Sequence, residues 1–124
     1  GHILVMDDEE MIRDLLKDML ETWGYQVDTA VDGEEALEKY ISADKSGNPV
    51  DLVIMDLFVA KGMNGDVAIK KLLALYPDAK VIVTSGYFSD TVMANFNAYG
   101  FKGRLAKPFQ MDVMQKEISR VINL

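Results

Sequence analysis

The chain has no cysteine, which excludes disulfides, thiolate nucleophiles and thiolate metal sites and suits a reducing compartment. No apolar run approaches the ~20 residues of a membrane span, and no signal peptide precedes the first strand-like run, so a cytoplasmic setting is expected. Positive charge is also in short supply. Thirteen Lys and Arg against twenty Asp and Glu leave a net charge of −7, which disfavours attraction to phosphate backbones and excludes nucleic acid as a direct partner. Internal repeats, linkers and low-complexity tracts are missing too. What is there is a chain of 124 residues, 49% hydrophobic and 27% charged, the balance of a globular protein with one core. One domain over residues 1–124 is expected. The chain starts almost inside its first strand and stops at its last helix, so either a domain cut from a longer protein or a trimmed one-domain protein is expected.

Short apolar runs alternate with helical periods. Ile3-Leu4-Val5-Met6 is too short for a helix and is ended by the acidic stretch Asp7 to Glu10, so it reads as a buried strand. Met11, Ile12, Leu15, Leu16, Met19, Leu20 and Trp23 then recur at helical spacing up to Gly24. A weaker strand runs from Tyr25 to Ala30. Asp32 followed by Glu35 resembles a capping box and opens a second helix with Ala36, Leu37, Tyr40 and Ile41 inward, and Ser42 to Pro49 reads as a polar turn. Leu52 to Met55 and Val81 to Val83 are further buried strands, separated by a helix carrying Val67, Ala68, Leu72 and Leu75. A fourth helix is expected from Asp90 to Tyr99, a fifth strand from Phe101 to Ala106, and a last helix through Val113, Met114, Ile118, Val121 and Ile122.

Five strands alternating with five helices predict an α/β fold, a parallel sheet covered on both faces. In such a sheet, ligands bind beyond the carboxyl ends of the strands, where the strand order reverses. With the order 2-1-3-4-5, Asp7 and Asp8 after the first strand, Asp56 after the third, Thr84 and Ser85 after the fourth and Lys107 after the fifth all reach one rim. Each alone has an ordinary reading: a capping or solvated aspartate, a Ser-Gly turn, a surface lysine before a proline. Their convergence is harder to assign to chance. Carboxylates 4 Å apart repel by about 4 kcal/mol per pair at an effective dielectric near 20, and a hard divalent cation such as Mg2+ offsets that repulsion while keeping waters that a phosphate can replace. Such a rim suits phosphoryl transfer by positioning and electrostatics.

Asp7-Asp8-Glu9, Asp56, Ser85-Gly86 and Lys107-Pro108-Phe109, in that order and at those strand ends, resemble the response-regulator receiver domain of two-component signalling, and Asp32-Gly33-Glu34-Glu35-Ala36-Leu37 is similar to that family's usual entry to its second helix. The resemblance spans essentially the whole chain. It implies a flavodoxin-like fold with Asp56 as phosphoacceptor, Asp8 as a direct Mg2+ ligand, Asp7 acting mainly through water, and the backbone carbonyl of Phe58 completing the protein ligands. By the same resemblance Ser85 is the switch hydroxyl, Lys107 binds phosphate, and the Lys107-Pro108 peptide is cis. It also implies a histidine kinase or phosphotransfer domain as partner, in a stand-alone regulator or as part of a hybrid kinase or larger regulator. The one histidine, His2, starts the first strand, far from the rim, so the phosphate comes from another domain or a small phosphodonor.

Departures from the family pattern carry expectations of their own. The family commonly has proline four residues after its phosphoacceptor, where this chain has Ala60, and the loop from Asp56 to Gly65 is one residue longer than in the chemotaxis type. Three residues before the lysine stands Arg104 instead of an aromatic; it is expected to stay exposed, since an unpaired guanidinium is costly to desolvate. Phe58 and Tyr87, two residues after Asp56 and Ser85, are bulky and predict slow self-dephosphorylation rather than enzymatic turnover. A haloacid-dehalogenase-like phosphatase would need a second aspartate where Phe58 stands, and no phosphate loop for a flavin follows the first strand, so no organic cofactor is expected. The alternative is a receiver-like interaction module that never uses phosphate; the intact Asp8, Asp56, Ser85 and Lys107 argue against it.

Overall fold

The structure, a computed structural model, describes residues 1–86 and 91–124. Tyr87 and the expected start of the fourth helix at Asp90 lie outside the described residues. Five strands, β1 (His2–Met6), β2 (Gln26–Ala30), β3 (Leu52–Asp56), β4 (Val81–Ser85) and β5 (Gly103–Ala106), form one sheet in the order β2-β1-β3-β4-β5. Every neighbouring pair is parallel. The helices are α1 (Glu10–Thr22), α2 (Gly33–Lys45), α3 (Gly65–Leu75), α4 (Thr91–Ala94) and α5 (Met111–Ile122), with a 3-10 turn at Phe96–Tyr99.

Because side chains alternate faces along a strand, the apolar runs split into two cores. Ile3, Val5, Leu52, Ile54 and Ile82 pack with Leu16 and Leu20 of α1 and with Met114, Ile118 and Val121 of α5. Leu4, Met6, Val53, Met55, Val81 and Val83 face the other way, against Ala36 and Tyr40 of α2, Ala68, Ile69 and Leu72 of α3, and Met93 of α4. The crossovers from β1 and from β3 leave in opposite directions, so the carboxyl ends of these two neighbouring strands flank the crevice.

Several expected boundaries shift, each for a local reason. The second helix continues through Ser42 to Lys45, where a polar turn was expected; it stops where Gly47 takes φ +84° and donates to the Asp44 carbonyl. The capping box forms, with Asp32 Oδ1 accepting from the Glu35 N–H at 2.9 Å and Glu35 Oε1 accepting from the Val31 N–H at 2.9 Å. The expected fourth helix stops at Ala94: the Asn95 N–H still donates to the Thr91 carbonyl at 2.9 Å, but Asn95 leaves helical geometry at φ −120° and ψ 40°, and the 3-10 turn that follows ends at Gly100, φ +96°. The fifth strand begins at Gly103, two residues later than expected, although Phe101 is fully buried. Met11 and Leu15 face solvent despite their place in the helical stripe, Met11 being 83% exposed.

Candidate functional site

The strand ends deliver the expected residues to one rim, but in unequal settings. Asp7 follows β1 and is buried. Its main-chain N–H donates to the Ala30 carbonyl at 3.1 Å, and its own carbonyl accepts from Arg13 at 2.8 Å. Its Oδ1 accepts from the Glu9 N–H at 2.9 Å and its Oδ2 from Lys107 Nζ at 2.7 Å, so both carboxylate oxygens are engaged. Asp8, half-buried, opens instead into a cleft of about 560 Å³, which Asp56, Phe58, Ala60, Ser85 and Lys107 also line. One oxygen from each of Asp7, Asp8 and Asp56 lies within 4.8 Å of the others.

Asp56 is the last residue of β3, aligned with Thr84 of β4, and only 4% exposed. The Leu57 N–H donates to the Thr84 carbonyl at 3.0 Å, which carries the sheet's hydrogen bonding one residue past Asp56. Lys107 reaches the same place from β5, its N–H bonded to the Ser85 carbonyl at 3.0 Å and its Nζ 3.3 Å from Asp56 Oδ2. The peptide after it, Lys107-Pro108, is cis. Burial, then the Asp7 charge, push the Asp56 carboxyl up to about 6, against the opposing pull of Lys107 and the Phe58 N–H. For Lys107, burial favours the neutral amine, but the hydrogen bond to Asp7 and the charges of Asp56 and Asp7 outweigh it and hold the ammonium above its ordinary value.

Ser85, the last residue of β4, is buried beside this pair and lines the cleft. Phe58 stands at its mouth, 44% exposed. Arg104 is exposed, as expected, but not idle: its guanidinium donates to the Met93 carbonyl at 2.9 Å and lies 5.5 Å from the centroid of the Phe96 ring. His2, at the far end of β1, takes no part in the rim. Sequence reasoning missed the supports of the site. Asn64, whose Oδ1 accepts from the Val59 N–H at 2.9 Å, was visible as a polar residue before Gly65 at a helix start; the hold of Arg13 on Asp7 has no sequence signal.

Three carboxylates against one ammonium form a hard-oxygen donor set that fits Mg2+, which prefers a few carboxylates and retained waters. Residues 3–119 match the family of the response regulator receiver domain. The chain belongs to this family. It is 35% identical over 120 residues to the chemotaxis protein CheY of Thermotoga maritima, covering 96% of this chain and 95% of that one. It is 31% identical to the sensor kinase CckA of Brucella abortus, of which the match covers 12% and of this chain 97%. Among solved structures, response regulator TrrA of Thermotoga maritima, in complex with Mg(2+)-BeF, superposes with a TM-score of 0.83 at 32% identity, covering 98% of both chains. Receiver domains are signalling domains of two-component systems that work with histidine kinases and bind Mg2+ at an acidic pocket, and this chain has the flavodoxin-like receiver fold. No helix of the described residues is long and apolar enough to cross a membrane.

Proposed function

We propose that this receiver domain accepts a phosphoryl group on Asp56 from the phosphohistidine of a histidine kinase or phosphotransfer domain, and that the modified state switches a partner or output surface. The observation that carries this reading is Lys107 Nζ held between Asp7 and Asp56 at 2.7 and 3.3 Å, at the floor of a cleft that admits a phosphoryl group. An Asp56 oxygen attacks phosphorus, the N–P bond of the donor breaks, and the imidazole leaves with its electron pair. Lys107 balances the charge gained by Asp56, while Ser85 donates to a phosphoryl oxygen. Asp8, Asp56 and the Phe58 carbonyl would hold Mg2+, and Asp7, both of whose oxygens are already bonded, would act through water. When bound, the cation supplies charge neutralisation between the acidic residues and the incoming group.

Phe58 and Tyr87 offer no carboxylate or amide to orient a hydrolytic water, so the phosphoryl group decays slowly, and Phe58→Asn is expected to speed that decay. Treatment with acetyl phosphate, with and without Mg2+, followed by intact-mass measurement tests the main reading. One phosphoryl adduct that depends on Mg2+ and disappears in Asp56→Asn is expected; an adduct that persists in that variant overturns it.

A further inference from the structure

The β3–α3 loop, residues 57–64, is anchored at both ends by contacts that do not involve the acidic rim. The Gly65 N–H donates to the Leu57 carbonyl at 3.0 Å, the Val59 N–H to Asn64 Oδ1 at 2.9 Å, and the Met63 carbonyl accepts from the Gly33 N–H at 2.8 Å. Gly62, at φ +91°, lies so close to the α2 cap that a Cβ there would fall 2.3 Å from Asp32 Oδ2. Between these anchors the loop passes the cleft mouth. There the Ala60 N–H donates to Asp8 Oδ2 at 2.9 Å, joining the β3–α3 loop to the segment after β1.

Asp8 differs in this from Asp7, whose carboxylate is held from below by Glu9 and Lys107. A carboxylate that ligates a cation has its orientation set by the donors on its other lone pairs. With Oδ2 engaged by Ala60, the direction of Oδ1 is fixed by the loop. The donor exists because residue 60 is alanine and not proline, which has no N–H to offer. We infer that Ala60 is a positioning residue for the cation site: its main-chain N–H orients the Asp8 carboxylate and makes the order of the β3–α3 loop depend on whether the cation is bound. This rests on the reading of Asp8 as a Mg2+ ligand.

The test is Mg2+ titration of the wild type, Ala60→Gly and Ala60→Pro by calorimetry, with circular dichroism and urea melts to establish that each is folded. Ala60→Gly keeps the N–H and is expected to bind Mg2+ as the wild type does; Ala60→Pro is expected to bind about tenfold more weakly. Hydrogen exchange in the wild type supplies a reading that needs no variant: the Ala60 amide exchanges several-fold more slowly with Mg2+ than without, beyond any change at the neighbouring Lys61 amide. A folded Ala60→Pro protein that binds Mg2+ at wild-type affinity, or an Ala60 amide indifferent to Mg2+, overturns the inference and leaves the proposed function standing. If Ala60→Pro does not fold, the amide measurement decides. A wild type that does not bind Mg2+ overturns the metal reading and this inference together.

Discussion

The two ends of the sheet treat buried polar side chains in opposite ways. At the amino end, His2 is buried with both ring nitrogens bonded, Nδ1 to the Asn48 carbonyl at 3.0 Å and Nε2 to Asp28 Oδ2 at 2.6 Å, while its N–H donates to Asp51 at 2.8 Å. Asp28 keeps 52% of its side chain in water, so the pair is partly solvated and closed upon itself. At the carboxyl end, one ammonium faces Asp7 and the buried Asp56, and Asp8 opens into the cleft beside them. At that end one oxygen from each of Asp7, Asp8 and Asp56 lies within 4.8 Å of the others, against the one ammonium of Lys107. The difference separates a buried histidine whose hydrogen bonds are closed by its own neighbours from a carboxylate-rich cleft of the kind the proposed function requires.

Removing the ammonium that faces Asp7 and Asp56 is the strongest way to break this contrast. Lys107→Met leaves the buried Asp7 and Asp56 carboxylates without their ion-pair partner and is expected to destabilise the metal-free protein by about 3 kcal/mol in urea melts. The opposite change at the same place should stabilise. Between pH 3.8 and about 6 the folded protein retains a proton on Asp56 that the unfolded chain has released, so metal-free stability falls as pH rises through that window and levels off above it. Asp56→Asn is expected to remove that slope and to raise metal-free stability at pH 7 by something on the order of 2 kcal/mol; urea melts of both proteins across that pH range check it. Mg2+ at pH 7 should stabilise the wild type and lose most of that effect in Asp8→Asn.

At the amino end the expected effects are smaller and indifferent to Mg2+. Asp28→Asn removes a half-exposed partner of His2 and should cost under about 1 kcal/mol, with the same Mg2+ increment as the wild type in parallel melts. The smallest expected signal comes from Trp23, which ends α1 and packs at the periphery of the α1–α5 core. Its fluorescence should stay nearly constant through a Mg2+ titration that saturates the rim. A large change would mean that the two ends of the sheet are coupled rather than independent.

The sequence by itself determined three apolar strand runs and the approximate place of two weaker strands, the alternation with helices and the placing of Asp7, Asp8, Asp56, Ser85 and Lys107 at strand ends, because hydrophobic period and strand termination are local properties of the chain. Residue type and position alone did not separate Asp7 from Asp8; that division came only with the family resemblance. Neighbours in sequence, they differ because Lys107, a hundred residues away, reaches one of them, while the amide of Ala60 reaches the other. The outward turn of Met11 and the break at Asn95 were equally hidden, since a helical stripe says which residues share a face but not how much of that face a neighbour covers. Arg104 was legible as a departure and as exposed, but not as the residue that holds the Met93 carbonyl, for that contact exists only once β5 and α4 lie side by side. The tertiary structure decided these matters because each depends on which distant groups share a low-dielectric space, and distance in the fold is not distance in the chain.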